Sequence, residues 1–273
     1  MGASELSGQN ASQAGIMEQA EMIRRAYADA KPVPPVRNAL PGASVEDAYA
    51  IQAANTAYWQ AQGRKIVGAK IGLTAKSVQA QLGVDQPDFG QLFADMAVND
   101  GDTVAAGRLL QPKVEAEVAF VMAREPDVSR LSTAELINSV AYALPAIEIV
   151  DSRIAGWDIG IVDTIADNAS SGLFVLGTRP TALTDIDLGL CGMVMDRNGD
   201  PASVGAGAAC LGNPLHALGW LAAKMAEVGQ PLQAGDIVLS GALGPMVTVS
   251  PGDSIEARIN GLGSVRVNFG SVS

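Results

Sequence analysis

The stretch Lys113-Val-Glu-Ala-Glu-Val-Ala-Phe-Val-Met122 constrains this chain more than any other. Its alternation is that of a β-strand, along which successive side chains point to opposite faces. Glu115 and Glu117 therefore share a face, with Cα atoms about 6.5–7 Å apart. Val114, Ala116, Val118, Phe120 and Met122 make the other face wholly apolar. Two like charges in so apolar a strand repel each other and resist desolvation. A basic side chain, bulk water or a metal ion resolves that conflict.

A third carboxylate narrows the choice. Tyr142-Ala-Leu-Pro-Ala-Ile-Glu-Ile-Val150 is a second apolar run of strand length, and Glu148 shares its face with Leu144, Ala146 and Val150. Three carboxylates on neighbouring strands form a hard, all-oxygen site, suited to Mg²⁺, Mn²⁺ or Ca²⁺ and unsuited to zinc or copper. The same pattern also arises if Glu115 and Glu117 face solvent and Glu148 is salt-bridged.

Composition limits the partners. The chain has 273 residues, 48% of them hydrophobic, enough for a full core. A net charge of −11 argues against nucleic acid or an anionic membrane surface. Cys191 and Cys210 form no C-x-x-C arrangement and read as reduced, which fits the cytoplasm. No apolar run approaches the roughly 18 residues of a membrane span. A single histidine, His216, excludes His-rich metal sites and counts against a Ser-His-Asp triad. At the start of a helix it reads as a capping or surface residue.

Along the chain, residues 1–12 are polar and are expected to be disordered. An amphipathic helix is predicted from Ile16 to Ala30, then an extended connector with Pro32, Pro34, Pro35 and Pro41. Ser44, with Asp47 three residues on, caps a second helix ending near Gln62. These two helices read as a lid or oligomer arm on a β-rich body. Lys70 lies inside the strand Ile66 to Leu73, as an edge-strand gatekeeper or as a functional amine. Thr74 is predicted to cap a short helix. Gln86-Pro-Asp-Phe-Gly90 reads as a turn presenting Asp88. A short helix spans Thr133 to Ser139, and a polar loop from Asp151 to Asn168 lies over the site. Strands follow at Leu173–Leu176 and Cys191–Asp196, with a hairpin turn at Arg197-Asn-Gly-Asp200. A helix is predicted from Pro214 to about Val228. The strand Ile237 to Ser240 then runs into the glycine-rich loop Gly241-Ala-Leu-Gly-Pro-Met246. This loop can bring backbone N–H groups to an anion but has no P-loop lysine. A β-meander from Val247 to Phe269 closes the chain.

Several of these stretches together carry a resemblance. Lys70-Ile-Gly-Leu-Thr, Gln81-Leu-Gly-Val-Asp-Gln-Pro-Asp-Phe-Gly90, Glu115-x-Glu117, Pro145-Ala-Ile-Glu148 and Leu239-Ser-Gly-Ala-Leu-Gly-Pro-Met246 resemble the 2-keto-4-pentenoate hydratases. These belong with the 4-oxalocrotonate decarboxylases in the fumarylacetoacetate-hydrolase-like superfamily. The resemblance runs from about Ser44 to Phe269. It implies an α+β fold with a mixed β-roll or sandwich body and an N-terminal helical region. Residues 1–43 would be a tail, helix and connector, and residues 44–273 the hydratase domain. It further implies Mg²⁺ or Mn²⁺ held by Glu115, Glu117 and Glu148, and a homo-oligomer, a pentamer or decamer. Lys70 and Asp88 match the family's pocket lysine and aspartate as catalytic groups. Leu73, Gly241, Ala242, Leu243 and Gly244 are the candidate substrate-binding residues.

The implied reaction is hydration of 2-hydroxypenta-2,4-dienoate, the dienol of 2-oxopent-4-enoate, to 4-hydroxy-2-oxopentanoate in meta-cleavage catabolism of aromatic compounds. Such an addition needs an electron sink at the 2-oxygen, which a divalent Lewis acid supplies. Lys70 would contact the substrate carboxylate or the enolate. Asp88 would pair with Lys70 and transfer protons, or orient the attacking water. Alternatives are a 4-oxalocrotonate-type decarboxylase, for which Arg153 offers a cation to a second carboxylate, and a hydratase of a longer dienoate. C–C bond hydrolysis needs a histidine, and His216 is distant in sequence from the metal motifs. In a different class stands a non-catalytic oligomeric scaffold.

Overall fold

The computed structural model describes residues 11–271, so the expectation for the first ten residues lies outside the described part. Three helices come first, α1 (Gln13–Asp29), α2 (Val36–Ala39) and α3 (Val45–Ala61). Ser12 starts α1 by accepting a hydrogen bond from the Gly15 N–H. At α3, Ser44 Oγ accepts from Asp47 N (3.1 Å) while Asp47 Oδ2 accepts from Ser44 N (2.9 Å), a reciprocal capping box. The proline-rich connector is not wholly extended. Past Pro35 the single turn of α2 forms, held by Arg37, whose backbone N–H donates to Asp163 Oδ1 at 3.0 Å.

The body continues with β1 (Ile66–Gly72), α4 (Lys76–Leu82), β2 (Asp88–Phe93), β3 (Ala97–Val98), β4 (Thr103–Val104) and β5 (Pro112–Met122). Next come α5 (Thr133–Ser139), β6 (Val140–Asp151), α6 (Ile161–Ala166), β7 (Ser171–Leu176), β8 (Gly192–Arg197) and β9 (Asp200–Ala206). The chain ends with α7 (Pro214–Glu227), β10 (Ile237–Ala242), β11 (Val247–Thr248), β12 (Ser254–Ile259) and β13 (Gly263–Phe269). The larger sheet has the order β2-β1-β10-β5-β6-β7-β3, with β11 added to β5. The smaller runs β4-β13-β12-β8-β9. Asn198 and Gly199 both take positive φ (58° and 91°), as a tight β8–β9 hairpin requires.

The apolar face of β5 supplies Val114, Ala116, Val118 and Phe120 to one buried cluster with Ile147 and Ile149 of β6 and Ile255, Ala257, Val265 and Val267 of the smaller sheet. That seals the face opposite Glu115 and Glu117. A second cluster joins Ile16, Ala20 and Ile23 of α1 to Ala48 and Ile51 of α3 and to Ile165 and Ala166 of α6. The N-terminal helices are therefore packed against the body through a core of their own, not laid over it as a lid.

Two local expectations are corrected. Asp88 opens strand β2 and pairs with Gly72 of β1; it does not sit in an Asx turn. Thr74 does not cap α4, whose N-cap is Ala75 with no side-chain bond. Instead Thr74 packs on Gly241, where an added Cβ would lie 2.4 Å from Thr74 Oγ1.

Candidate active site

The β5–β6 ladder sets Glu115 directly opposite Glu148, with Glu117 next on the same face. One carboxylate oxygen from each of the three lies within 4.8 Å of the others. Glu117 and Glu148 are buried and Glu115 is half-buried, which removes the solvated-face alternative. Glu117 Oε2 accepts a hydrogen bond from Gly241 N at 2.8 Å. Among the described residues, Glu117 Oε1 and Glu148 Oε2 are buried without a hydrogen-bond partner, and Glu148 Oε1 meets only the Lys70 ammonium. Buried polar atoms are normally satisfied. Converging, unsatisfied hard oxygens are what a divalent cation such as Mg²⁺, Mn²⁺ or Ca²⁺ requires, so the donor set fits one.

Lys70 is brought in by sheet topology. Its strand lies between β2 and β10, paired with Gly90 on one side and Leu239 on the other. It is no edge gatekeeper. Its side chain is 4% exposed, and Nζ lies 3.0 Å from Glu148 Oε1 as an ion pair. Asp88 is equally buried. Its Oδ2 is 3.5 Å from Thr164 Oγ1, and among the described residues its Oδ1 has no hydrogen-bond partner. The loop after β6 thus reaches Asp88 through α6, a contact that no local sequence signal announces.

Burial dominates the electrostatics here. It pushes the Asp88 carboxyl up to about 6, against the pull of Lys70. Burial and then the Glu148 charge push Glu115 up to about 7. Glu117 is held well above the ordinary range by burial and by Glu148 and Glu115, although the Gly241 N–H works the other way. For Lys70, burial disfavours the charge, but Glu148, Asp88 and Glu115 outweigh it and the ammonium is kept.

A cavity of about 470 Å³ opens beside Glu115. Its apolar wall includes Ile71, Leu73, Val78, Ala209, Ala242 and Met246. Among the described residues, no lysine, arginine or histidine lines it, and none comes from α1 or α3. Val78 and Ala209 escaped the sequence reading because nothing marks an apolar wall residue as such. Leu73, Ala242 and Gly244 line the cavity, whereas Gly241 and Leu243 do not. The amides of those two are already used, Gly241 N on Glu117 and Leu243 N on Ala116 O at 3.0 Å. A substrate-carboxylate pocket built from all four loop amides is therefore not available.

Arg153 is not free to meet a second carboxylate. It is 1% exposed, and its Nε donates to Asp167 Oδ1 at 2.6 Å. Its other nitrogens donate to the backbone oxygens of Asp151, Ser171 and Asp167. His216 is exposed, with Nδ1 3.0 Å from Leu211 O, as a helix-start residue. Cys191 and Cys210 are free and buried.

The family model described as fumarylacetoacetate (FAA) hydrolase C-terminal matches residues 60–269. The chain is 57% identical over 260 residues to 2-keto-4-pentenoate hydratase 1 of Dechloromonas aromatica, covering 95% of this chain and 99% of that protein. It belongs to the 2-keto-4-pentenoate hydratase family. Another member, the 2-keto-4-pentenoate hydratase of Paraburkholderia xenovorans, is 53% identical over 93% of this chain and 94% of its own. Among solved structures, the 4-oxalocrotonate decarboxylase of Pseudomonas putida G7, complexed with magnesium and adipate, superposes with a TM-score of 0.89. That enzyme is 35% identical, with 95% of this chain and 98% of the other covered. The family thus shares its fold with a decarboxylase, and the two activities must be told apart within the site.

Proposed function

We propose that this chain adds water to 2-hydroxypenta-2,4-dienoate to give 4-hydroxy-2-oxopentanoate, with a divalent cation held by Glu115, Glu117 and Glu148. The observation that carries the reading is the meeting of three converging carboxylates, two of them buried with under-satisfied oxygens, with a cavity that has an apolar wall and no cation among the described residues. Such a cavity suits the short hydrocarbon tail of a monoacid. A diacid would bring a second carboxylate to a wall with no cation among the described residues to pair it, and desolvating that charge is costly. The higher identity to named hydratases than to the decarboxylase points the same way.

When bound, the cation would supply a Lewis acid for negative charge developing on the 2-oxo acid. The other roles fall to the chain. Lys70 Nζ offers a fixed positive charge and hydrogen-bond donors to the substrate carboxylate or the enolate oxygen. Asp88, titrating near 6, can take and return a proton close to neutral pH. Leu73, Ala242 and Gly244 enclose the hydrocarbon part. Mg²⁺ or Mn²⁺ as the native ion, assembly into a homo-oligomer and a cytoplasmic setting belong to the same proposal. Among the described residues, no helix is long and apolar enough to cross a membrane.

The test is loss of the dienol absorbance with Mg²⁺ or Mn²⁺ present, and a product one water heavier by mass. Chelator and Glu148→Ala should each abolish it. Carbon dioxide released from 4-oxalocrotonate, with no turnover of the dienoate, would make the protein a decarboxylase instead.

A further inference from the structure

We propose that Gln52, on helix α3, is a positioning residue for Asp88. The proposal rests on Asp88 acting in the reaction as described above. Gln52 is 4% exposed, and its Nε2 donates both hydrogens, to Phe89 O at 2.9 Å and to Ile165 O at 3.0 Å. Phe89 follows Asp88 in strand β2. Ile165 follows Thr164, whose Oγ1 lies 3.5 Å from Asp88 Oδ2 and 3.4 Å from Ser170 Oγ. One side-chain amide thus ties together two segments, each a single residue away from the groups that meet at Asp88.

The need for such a tie follows from the sheet. Strand β2 is at the end of the larger sheet and, among the described residues, has only β1 as a ladder partner. Its outer side must be held by other means. Toward its far end, Asn168 mimics a neighbouring strand, accepting from Gln91 N at 2.7 Å and donating to Gln91 O at 2.9 Å. At the Asp88 end the corresponding tie is Gln52. One turn earlier on α3, Tyr49 stacks on the Phe89 ring at 4.7 Å between centroids. An apolar side chain would fill the place of Gln52 as well as packing alone requires. Burying a primary amide costs desolvation, recovered only by well-directed bonds. Here the direction of those bonds is the useful property. Among the described residues, Asp88 Oδ1 has no partner and Oδ2 has only the long contact to Thr164, so the placement of the β2 and α6 backbones sets where the carboxylate points.

The test is a double-mutant cycle on the Mn²⁺-loaded protein with Gln52→Met, Asp88→Asn and the pair. Methionine keeps the volume and removes both donors, while the β1 ladder and the Asn168 clamp still hold the strand. Gln52→Met should lower kcat by about 10- to 100-fold, the scale of a small misplacement of a reacting group, with KM little changed. Mn²⁺ affinity, read by electron paramagnetic resonance, should stay at the native value. In the Asp88→Asn background the same substitution should cost no further kcat, since a residue acting only through Asp88 has nothing left to position. Gln52→Asn, too short to span both carbonyls, takes the same place in the cycle if the methionine variant does not fold. Native kcat in the single variant, a further loss in the Asp88→Asn background, or lost Mn²⁺ binding overturns the proposal. Native turnover by Asp88→Asn alone overturns the role of Asp88, and this inference with it.

Discussion

Asp88 Oδ1 occupies the space that a side chain on Gly72 would need: a Cβ built on Gly72 would lie 2.2 Å from it. The two residues are cross-strand partners in the β1–β2 ladder. The aspartate therefore reaches across its neighbour because that neighbour is glycine. Gly72→Ala should displace the carboxylate while leaving Glu115, Glu117 and Glu148 in place. The expected outcome is a loss of about 10²-fold in kcat with Mn²⁺ binding retained. Steady-state kinetics and a metal titration on one preparation decide it, and native kcat would show that the orientation of Asp88 is not critical.

Lys70→Met should separate a catalytic from a structural effect. General acid–base and charge-stabilising groups contribute about 10²–10⁴-fold to rate, so kcat should fall by that order. In the ion-free protein, Glu148 would also lose the ammonium 3.0 Å from it while staying buried. Breaking a buried ion pair on one side costs about 3–5 kcal/mol. Urea unfolding in chelator should show that loss, and Mn²⁺ should restore part of it. A variant with near-native turnover would remove Lys70 from the mechanism.

Ion binding should release protons. Glu115 is pushed up to about 7 and Glu117 is raised above its ordinary range, so protons compete with the ion for the cluster around neutral pH. A ligating carboxylate must be deprotonated, so the ion displaces them. Affinity for Mn²⁺ should rise with pH between roughly 6 and 8 as that competition fades. Calorimetry in buffers of different ionisation enthalpy counts the protons. A buffer-independent heat would contradict the raised values.

The same shifts fix the sign of the stability change. Both groups titrate higher folded than unfolded, so between 4.5 and about 7 the ion-free native state binds more protons than the unfolded chain. The contribution of Glu115 is complete below that window and is lost as pH rises through it, and the raised Glu117 acts in the same direction. The ion-free protein should therefore melt at lower temperature at pH 8 than at pH 6, about two pH units apart. Glu117→Gln removes one of the repelling charges. It should raise ion-free stability at the higher pH and abolish the stabilisation by Mn²⁺, which for the native protein is about 2.7 kcal/mol at a hundredfold excess over Kd.

The carboxylate cluster was legible because strand alternation is a local rule, and Glu115 and Glu117 obey it within one element. Lys70 was legible only as a choice between two roles. What decides between them is that β10, far along the chain, covers the open side of β1. Asp88 was misread for a related reason. Gln86-Pro-Asp-Phe-Gly90 has the composition of a turn, yet pairing with β1 draws Asp88 and Phe89 into a strand, since tertiary pairing outweighs local preference. Arg153 looked available because Asp167, its partner, is separated from it by the loop and α6. Gln52 gave no signal, being one more polar residue on a helix until the sheet supplies the carbonyls it binds.

The insertion of β10 between β1 and β5 also bears on how the protein is made. A ribosome releases Lys70 and the three glutamates long before residues 237–242. Until that late strand emerges, the sheet has a gap between the lysine's strand and the glutamates' strand. The β5–β6 hairpin can form early, but its charges must wait in water for their cation. A nascent chain halted before Ile237 should hold neither the Lys70–Glu148 pair nor the Gly241 amide on Glu117. Assembly of the Lys70–glutamate cluster thus waits for β10, and a chain without that strand cannot acquire it part by part.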